Sequence, residues 1–141
     1  MLVSRIADSE ADLQAAFRIR ETVFVQEQHV PLADEFDEHE STADHILVLD
    51  EDTPAGAGRL RVVDGTAKLE RICVLPAFRK LGAGAAIVGA LEGLAIERGL
   101  TKAKLHGQVQ AQRFYEKLGY RCASEPFMED GILHVLMVKE L

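Results

Sequence analysis

The 141-residue sequence has little cysteine: Cys73 and Cys122 are the only two, and no C-x-x-C pair occurs. Two thiols this far apart make neither a disulfide framework nor a thiolate zinc site, so a reducing, cytoplasmic setting is expected. Long apolar runs are missing as well. The longest, Leu81 to Leu91, ends at Glu92, far short of the ~20 residues that span a bilayer. Arg5, Asp8 and Glu10 interrupt the N-terminal region before signal-peptide length is reached, so neither secretion nor a membrane partner is expected. Basic charge is in deficit, with 16 Lys and Arg against 23 Asp and Glu and a net charge of −7. Phosphate recognition depends on clustered basic charge, so this balance argues against a nucleic-acid partner and favours cationic substrates. There is no repeat, low-complexity tract or linker, and the apolar content is 48%. Residues 1–141 are therefore read as one domain, large enough to bury a core without a metal or disulfide.

The pattern of elements is mixed. Val3 to Ala7 reads as a strand, and Ser9 with Asp12 opens an amphipathic helix carrying Leu13, Ala16, Phe17, Val23 and Phe24. Pro31 stops that helix, and an acidic segment, Asp34 to Glu40, follows. His45 to Asp50 and Ala57 to Val63 read as strands around a turn at Asp52 to Gly56, and Asp64-Gly65 as a hairpin leading into Thr66 to Val74. After Pro76, Arg79-Lys80-Leu81-Gly82-Ala83-Gly84 opens a helix closed by Arg98 and Gly99. Thr101 to Gln108 reads as a strand, Ala111 to Leu118 as a helix, and Tyr120 to Met128 with Ile132 to Lys139 as a hairpin turning at Glu129-Asp130-Gly131. This order predicts an α+β domain whose mixed sheet carries helices on one face. Gly89 and Gly93 lie inside the long helix, where each costs roughly 1 kcal/mol relative to Ala, and are read as sites of close helix packing.

A strand followed by Arg79-x-x-Gly82-x-Gly84 and a helix is an arrangement that can hold a polyphosphate. The first helical N–H groups are unpaired, the helix end is positive, and glycine lets a ligand approach the main chain. Neither common nucleotide loop fits. No Gly-Lys-Ser/Thr occurs, and Ile87 stands where a dinucleotide fingerprint needs Gly or Ala. Metal motifs fail in the same way. His39-Glu40 is followed by His45 rather than by a histidine at helical spacing, and the acidic run lacks the glycine of a calcium loop.

The loop resembles the [RQ]-x-x-G-x-[GA] acetyl-CoA loop of the GNAT superfamily of N-acetyltransferases. A second block, Gln108-x-x-Ala111-x-x-Phe114-Tyr115-Glu116-Lys117-Leu118-Gly119-Tyr120, resembles the same family's later helix segment. The run Arg18 to Gln28 with Pro31, Glu35, Asp37 and His45 is similar to a small bacterial branch of that superfamily. The ending Gly131 to Met137 is similar to that branch and to glyphosate N-acetyltransferase, where a histidine in this motif is the general base. The resemblance covers nearly the whole chain. It implies a mixed, mostly antiparallel sheet of about six to seven strands flanked by helices, with acetyl-CoA as cosubstrate and no metal. Members often pair through terminal strands, which leaves a homodimer open.

Acetyl transfer from a thioester to an amine requires a base, stabilisation of the carbonyl oxygen and protonation of the leaving thiolate. By resemblance, His134 is the first candidate base and Glu70 the second; Glu70 is equally readable as a partner of a cationic amine or of Arg61 or Lys68. Tyr115 resembles the family's general acid. Backbone N–H groups of Ile72, Cys73 and Val74 would face the carbonyl at a strand bulge, Arg79 to Gly84 would hold the pyrophosphate, and Gln108 the pantetheine arm. Cys73 itself reads as an apolar filler, because the family transfers directly. Arg20, Glu27, Glu70 and His134 are the candidate substrate contacts, with Glu35 and Asp37 as further carboxylates bordering the amine; the alternative for the acidic run is a solvated loop. Acetylation of a small primary amine is the leading expectation, peptide or protein amines are a second acceptor class, and a non-catalytic acyl-CoA sensor is the alternative.

Overall fold

The computed structural model describes residues 1–141. Its strands are β1 (Leu2–Ile6), β2 (Asp44–Asp50), β3 (Thr53–Val63), β4 (Thr66–Val74), β5 (Lys102–Gln108), β6 (Arg121–Cys122), β7 (Phe127–Glu129) and β8 (Ile132–Glu140). The helices are α1 (Glu10–Arg20), α2 (Leu32–Glu35), α3 (Ala83–Glu97) and α4 (Gln112–Lys117), and a π-helical turn, Glu21–Glu27, extends α1. The strands form one eight-stranded sheet in the order β1-β2-β3-β4-β5-β8-β6, with β7 also paired to β8. Every pairing is antiparallel except β4 with β5.

Helices cover both faces of the sheet rather than one. The buried run His45 to Leu49 explains why. Successive strand side chains point to opposite faces, so Ile46 and Val48 join the core beneath α3, with Leu60, Leu69, Ile87, Leu91, Leu105 and Met137. Leu47 and Leu49 point the other way and pack with Ala16, Ile19 and Val23 of the first helix. A strand apolar on both sides must be roofed on both sides. No helix is long and apolar enough to cross a membrane.

Two local readings are corrected. β3 starts at Thr53, so the turn before it is Glu51-Asp52 alone; both have positive φ, 47° and 69°, the form a two-residue hairpin needs, here without glycine. The expected strand Tyr120 to Met128 is divided into β6 and β7. Between them the Ser124 hydroxyl accepts from the Leu136 N–H at 2.9 Å in place of a ladder bond, and Pro126 has no N–H to offer.

The extension of α1 also departs from a plain helix. The Thr22 hydroxyl donates to the Arg18 carbonyl at 3.0 Å, a back-bond that bends helices, and the Gln28 N–H reaches Val23 O, five residues back, at 3.0 Å. The wider turn carries Glu27 and Gln28 across the sheet.

Glycine has opposite meanings on the two sides of the α3 packing. A Cβ on Gly58 would lie 2.6 Å from Ile87 Cγ2, so β3 and α3 touch through it, whereas Gly89 and Gly93 meet nothing within 4 Å. Close packing does not explain those two. We expect Gly58→Ala to destabilise by about 1–3 kcal/mol through overpacking. Gly89→Ala and Gly93→Ala should each stabilise by up to about 1 kcal/mol. Denaturant unfolding of the three variants checks both signs.

Candidate functional site

β4 and β5 run side by side only from Ala67–Ala103 to Leu69–Leu105. Beyond that point β4 bulges. Ala57 pairs with Cys73 and Arg59 with Glu70, leaving Arg71 and Ile72 opposite Gly58 alone, and Arg71 has φ 56°. An extra residue bends and twists its strand, and the two parallel strands part. The gap is a cleft of about 430 Å³, walled by Leu69 to Val74 on one side and by Leu105, His106, Gln108 and Tyr115 on the other. Val23, Phe24, Glu27 and Gln28 of the π-helical turn and Glu129, Ile132 and His134 of the last hairpin close its ends.

Behind the β4 wall lies a buried ion network. Arg20 Nε donates to Glu35 Oε2 at 2.9 Å, and its Nη1 and Nη2 to the Glu40 carboxylate at 2.8 and 2.7 Å. Arg59 binds Asp37 through Nη1 at 2.8 Å and Glu70 through Nη2 at 2.7 Å. Arg71, on the bulge, donates from Nε to the Glu35 carbonyl and from Nη2 to Asp37, both at 3.3 Å. The acidic segment is therefore folded onto three arginines through Glu35, Asp37 and Glu40, while Asp34 and Glu38 stay exposed. Asp37 is held at about 2 because the bonds from Arg59 and the His39 N–H, with the Arg59 and Arg71 charges, outweigh its desolvation. Glu35 moves the other way, raised above the ordinary carboxylate range chiefly by burial.

This network corrects or specifies several expectations. Arg20 is 1% exposed and belongs to the network, not to the cleft lining. Its guanidinium is spent on Glu35 and Glu40, so it is no substrate contact. Glu70 lines the cleft, but its carboxylate also accepts from Arg61 Nε at 2.8 Å and lies 2.9 Å from Lys68 Nζ. Burial would raise its pKa; bonds from Arg61 and Lys68 and the Arg59 charge overcome that and hold it far below the ordinary range. A carboxylate so held is a weak proton acceptor near neutrality. Glu27 and Glu35 border the cleft, whereas Asp37 sits behind it.

His134, on β8, is 7% exposed and lines the cleft. Its Nδ1 is 2.7 Å from the Ile132 carbonyl oxygen, which can only accept, so Nδ1 carries the proton and Nε2 of the neutral ring has a free lone pair. Tyr115, on α4, has its phenol raised above the ordinary range by burial. It stays protonated and keeps a proton to give. Cys73 turns its side chain into the core beneath α1. Burial pushes the thiol up to about 12, which suits a filler and not a nucleophile.

Of the glycine loop, Arg79 lines the cleft, and Lys80, Leu81, Gly82, Ala83 and Gly84 are not among its lining residues. Lys80 and Gly82 have φ 68° and 87°, and Gly82 caps α3, whose first N–H groups lack intrahelical partners. Left-handed residues ahead of free N–H groups and two cations are a donor set that fits a pyrophosphate. Arg79 is meanwhile bound by Glu27, at 2.8 and 2.6 Å, and donates to the Val74 carbonyl at 3.1 Å. Gln108 donates to Gln28 at 2.8 Å. No group of three or more His, Cys, Asp or Glu is arranged for a metal ion.

Glu129, a cleft residue, escapes the sequence reading: expected in a turn, it is the last residue of β7 and pairs with Ile132. It accepts from His106 Nδ1 at 2.9 Å. The Asp130-Gly131 hairpin carried the signal: a two-residue turn there sets Phe127 opposite His134 and Glu129 beside it.

A family model described as "Acetyltransferase (GNAT) domain" matches residues 6–141. Among curated proteins, Bacillus subtilis YyaT is 56% identical over 144 residues, covering 100% of this chain and 97% of the relative. The uncharacterized N-acetyltransferase YjcF of the same organism is 48% identical, covering 96% of this chain and 97% of that one. Among solved structures, a Lactobacillus plantarum protein provisionally described as an N-acetyltransferase superposes with a TM-score of 0.91 at 34% identity, covering 99% of this chain and 98% of that one. Escherichia coli ElaA superposes with a TM-score of 0.87 at 25% identity, covering 99% and 100%.

The network makes stability depend on acid. Asp37, Glu40 and Glu70 have lowered pKa values, so their stabilisation is complete above unfolded values near ~4 and fades as pH falls through the folded ones. Glu35, raised, acts in the opposite sense and loses its contribution as pH rises. Three lowered groups against one raised group give stability that increases from about pH 2 to about pH 5. Arg59→Met leaves those carboxylates buried without their shared cation and should cost about 3–5 kcal/mol at neutral pH. Denaturant titrations across that range, on both proteins, check the slope and the loss.

Proposed function

The chain belongs to the GNAT acetyltransferase family, and from that premise we propose that it uses acetyl-CoA to acetylate the primary amine of a small molecule, by direct attack within a ternary complex. The observation that carries this reading is the parting of β4 from β5 into a cleft bordered by an imidazole with a free Nε2 lone pair and by a protonated phenol. Bound acetyl-CoA would supply the acetyl group as an activated thioester. On this reading the Arg79 to Gly84 loop holds its pyrophosphate and Gln108 its pantetheine arm.

The work of this chain is then proton transfer and positioning. His134 takes the proton from the amine at Nε2, its tautomer held by the Ile132 carbonyl. Free amines have pKa values near ~10, so a base is needed at neutral pH. Main-chain N–H groups of Ile72 to Val74, at and just past the bulge, are the donors available to the carbonyl oxygen as negative charge develops. Tyr115 gives its hydroxyl proton to the departing thiolate. Glu70, bound to Arg59, Arg61 and Lys68, fixes the β4 wall in preference to acting as base. A cleft of about 430 Å³ is in the range of small-molecule sites, which favours a small acceptor over a protein one. The free thiols of Cys73 and Cys122 accord with a cytoplasmic setting.

Acetyl-CoA should raise thermal stability, by about 2.7 kcal/mol at a hundredfold excess over Kd. In a thiol-release assay over a panel of primary amines, Tyr115→Phe and His134→Ala should each lower kcat by about 10²–10⁴ while leaving the acetyl-CoA shift in place. Wild-type turnover in both variants overturns the two roles. An acetyl-CoA shift with no turnover on any amine would instead mark an acyl-CoA sensor.

A further inference from the structure

The His134 end of the cleft contains an arrangement that the reading above leaves unused. His134 Nε2 lies 3.8 Å from Glu129 Oε2. With Nδ1–H committed to the Ile132 carbonyl, the neutral ring and the carboxylate present two acceptors to each other across a gap too wide for a direct hydrogen bond. A donor placed between them satisfies both acceptors, and a group carrying several N–H bonds and a positive charge is such a donor. Glu129 does not drift into this position. His106, on β5, binds its other oxygen at 2.9 Å. Phe127 stacks on the His134 ring at 6.1 Å and meets His106 edge-on at 5.1 Å.

We propose that His134 and Glu129, the latter held by His106, form a fork that receives the acceptor substrate as an alkylammonium ion. The proposal rests on His134 being the base. Glu129 is kept ionised, its pKa lowered chiefly by the bond from His106, and so offers the ammonium a full negative charge. The ammonium donates one N–H to Glu129 Oε2 and one to His134 Nε2. Nε2 takes that proton, leaving a neutral amine with its lone pair free and an imidazolium beside the carboxylate. Glu129 is 40% exposed on its side chain, so the imidazolium proton leaves through it to water and the ring returns neutral. Other charged groups facing this end are Lys68, Glu70 and Arg71 on β4 and Asp130 in the β7–β8 turn. Lys68 is 2.9 Å from Glu70, and Arg71 is bound to Asp37, which leaves Glu129 as the carboxylate beside Nε2.

The test uses the full chain and histidine side-chain ¹⁵N spectra, with ethylammonium as the probe and tetramethylammonium, equally charged but without N–H, as its control. The wild-type His134 ring should show the proton on Nδ1. Its Nε2 signal should move on titration with ethylammonium and not with tetramethylammonium. In Glu129→Gln that response should be lost. In His106→Gln, which releases Glu129 without removing it, the response should weaken. In turnover assays with the fastest amine of the panel, Glu129→Gln should raise the amine KM tenfold or more, with Glu129→Asp recovering part of the loss. An unchanged ethylammonium response in Glu129→Gln overturns the fork, as does an equal response to tetramethylammonium. If His134→Gln keeps wild-type turnover, the base reading fails as well; if it is inactive while Glu129→Gln behaves as wild type, only the fork fails.

Discussion

The site depends on the point at which β4 stops pairing with β5. Parallel strands that stayed in register past Leu69 and Leu105 would form a continuous sheet with no room for a ligand. The extra residue at Arg71, with its left-handed backbone, ends that register and turns the strand. Three consequences follow. The strands diverge, the main-chain N–H groups that follow lose a partner strand on the cleft side, and Arg71 is aimed toward the acidic segment. The same bulge stands opposite Gly58, where α3 presses directly on β3, so the bent strand is backed by close-packed core.

A positive-φ arginine beside a cleft is a strained feature, and strain persists only where surrounding contacts determine it. Here they are ionic. Arg71 is tied to Glu35 and Asp37, Asp37 to Arg59, and Arg59 to Glu70 on β4 itself. The network thus links the bulge to the neighbouring strand and to the segment after α2. Buried ion pairs add little net stability compared with apolar packing, but breaking one is costly, which suits them to holding a single geometry. It also divides the polar groups of the cleft by task. Glu70 has too many cationic partners to accept a proton, while His134 has one carbonyl partner and one free nitrogen. On the proposed reading, proton chemistry falls to the group the network leaves unengaged.

Much of this was legible in the chain itself. Alternation and turn chemistry identify the hairpin at Asp64-Gly65 and the helix opened after Gly82, and the doubly buried run Ile46 to Leu49 is apolar throughout. The spacing of Arg79, Gly82 and Gly84 and of Phe114-Tyr115 marks the two blocks flanking the cleft. Other features were hidden for identifiable reasons. Arg20 reads as a substrate contact, and only the segment folding back twenty residues later buries it against Glu40. The acidic run looks solvated because its arginine partners are distributed over α1, β3 and β4. Glu129 looks like a turn residue because hairpin register depends on whether the loop has two or three members.

The sequence alone therefore determined the class of fold, the family resemblance and the candidates for acid and base. Those follow from local periodicity, from glycine's freedom at positive φ and from spacings along one chain. The tertiary structure decided which charged groups are spent on one another and which face the cleft. Ion pairing and burial are pairwise properties of residues distant in sequence: Glu70 meets Arg59, Arg61 and Lys68, and His134 comes beside Glu129, only after β3, β4, β7 and β8 have taken their register.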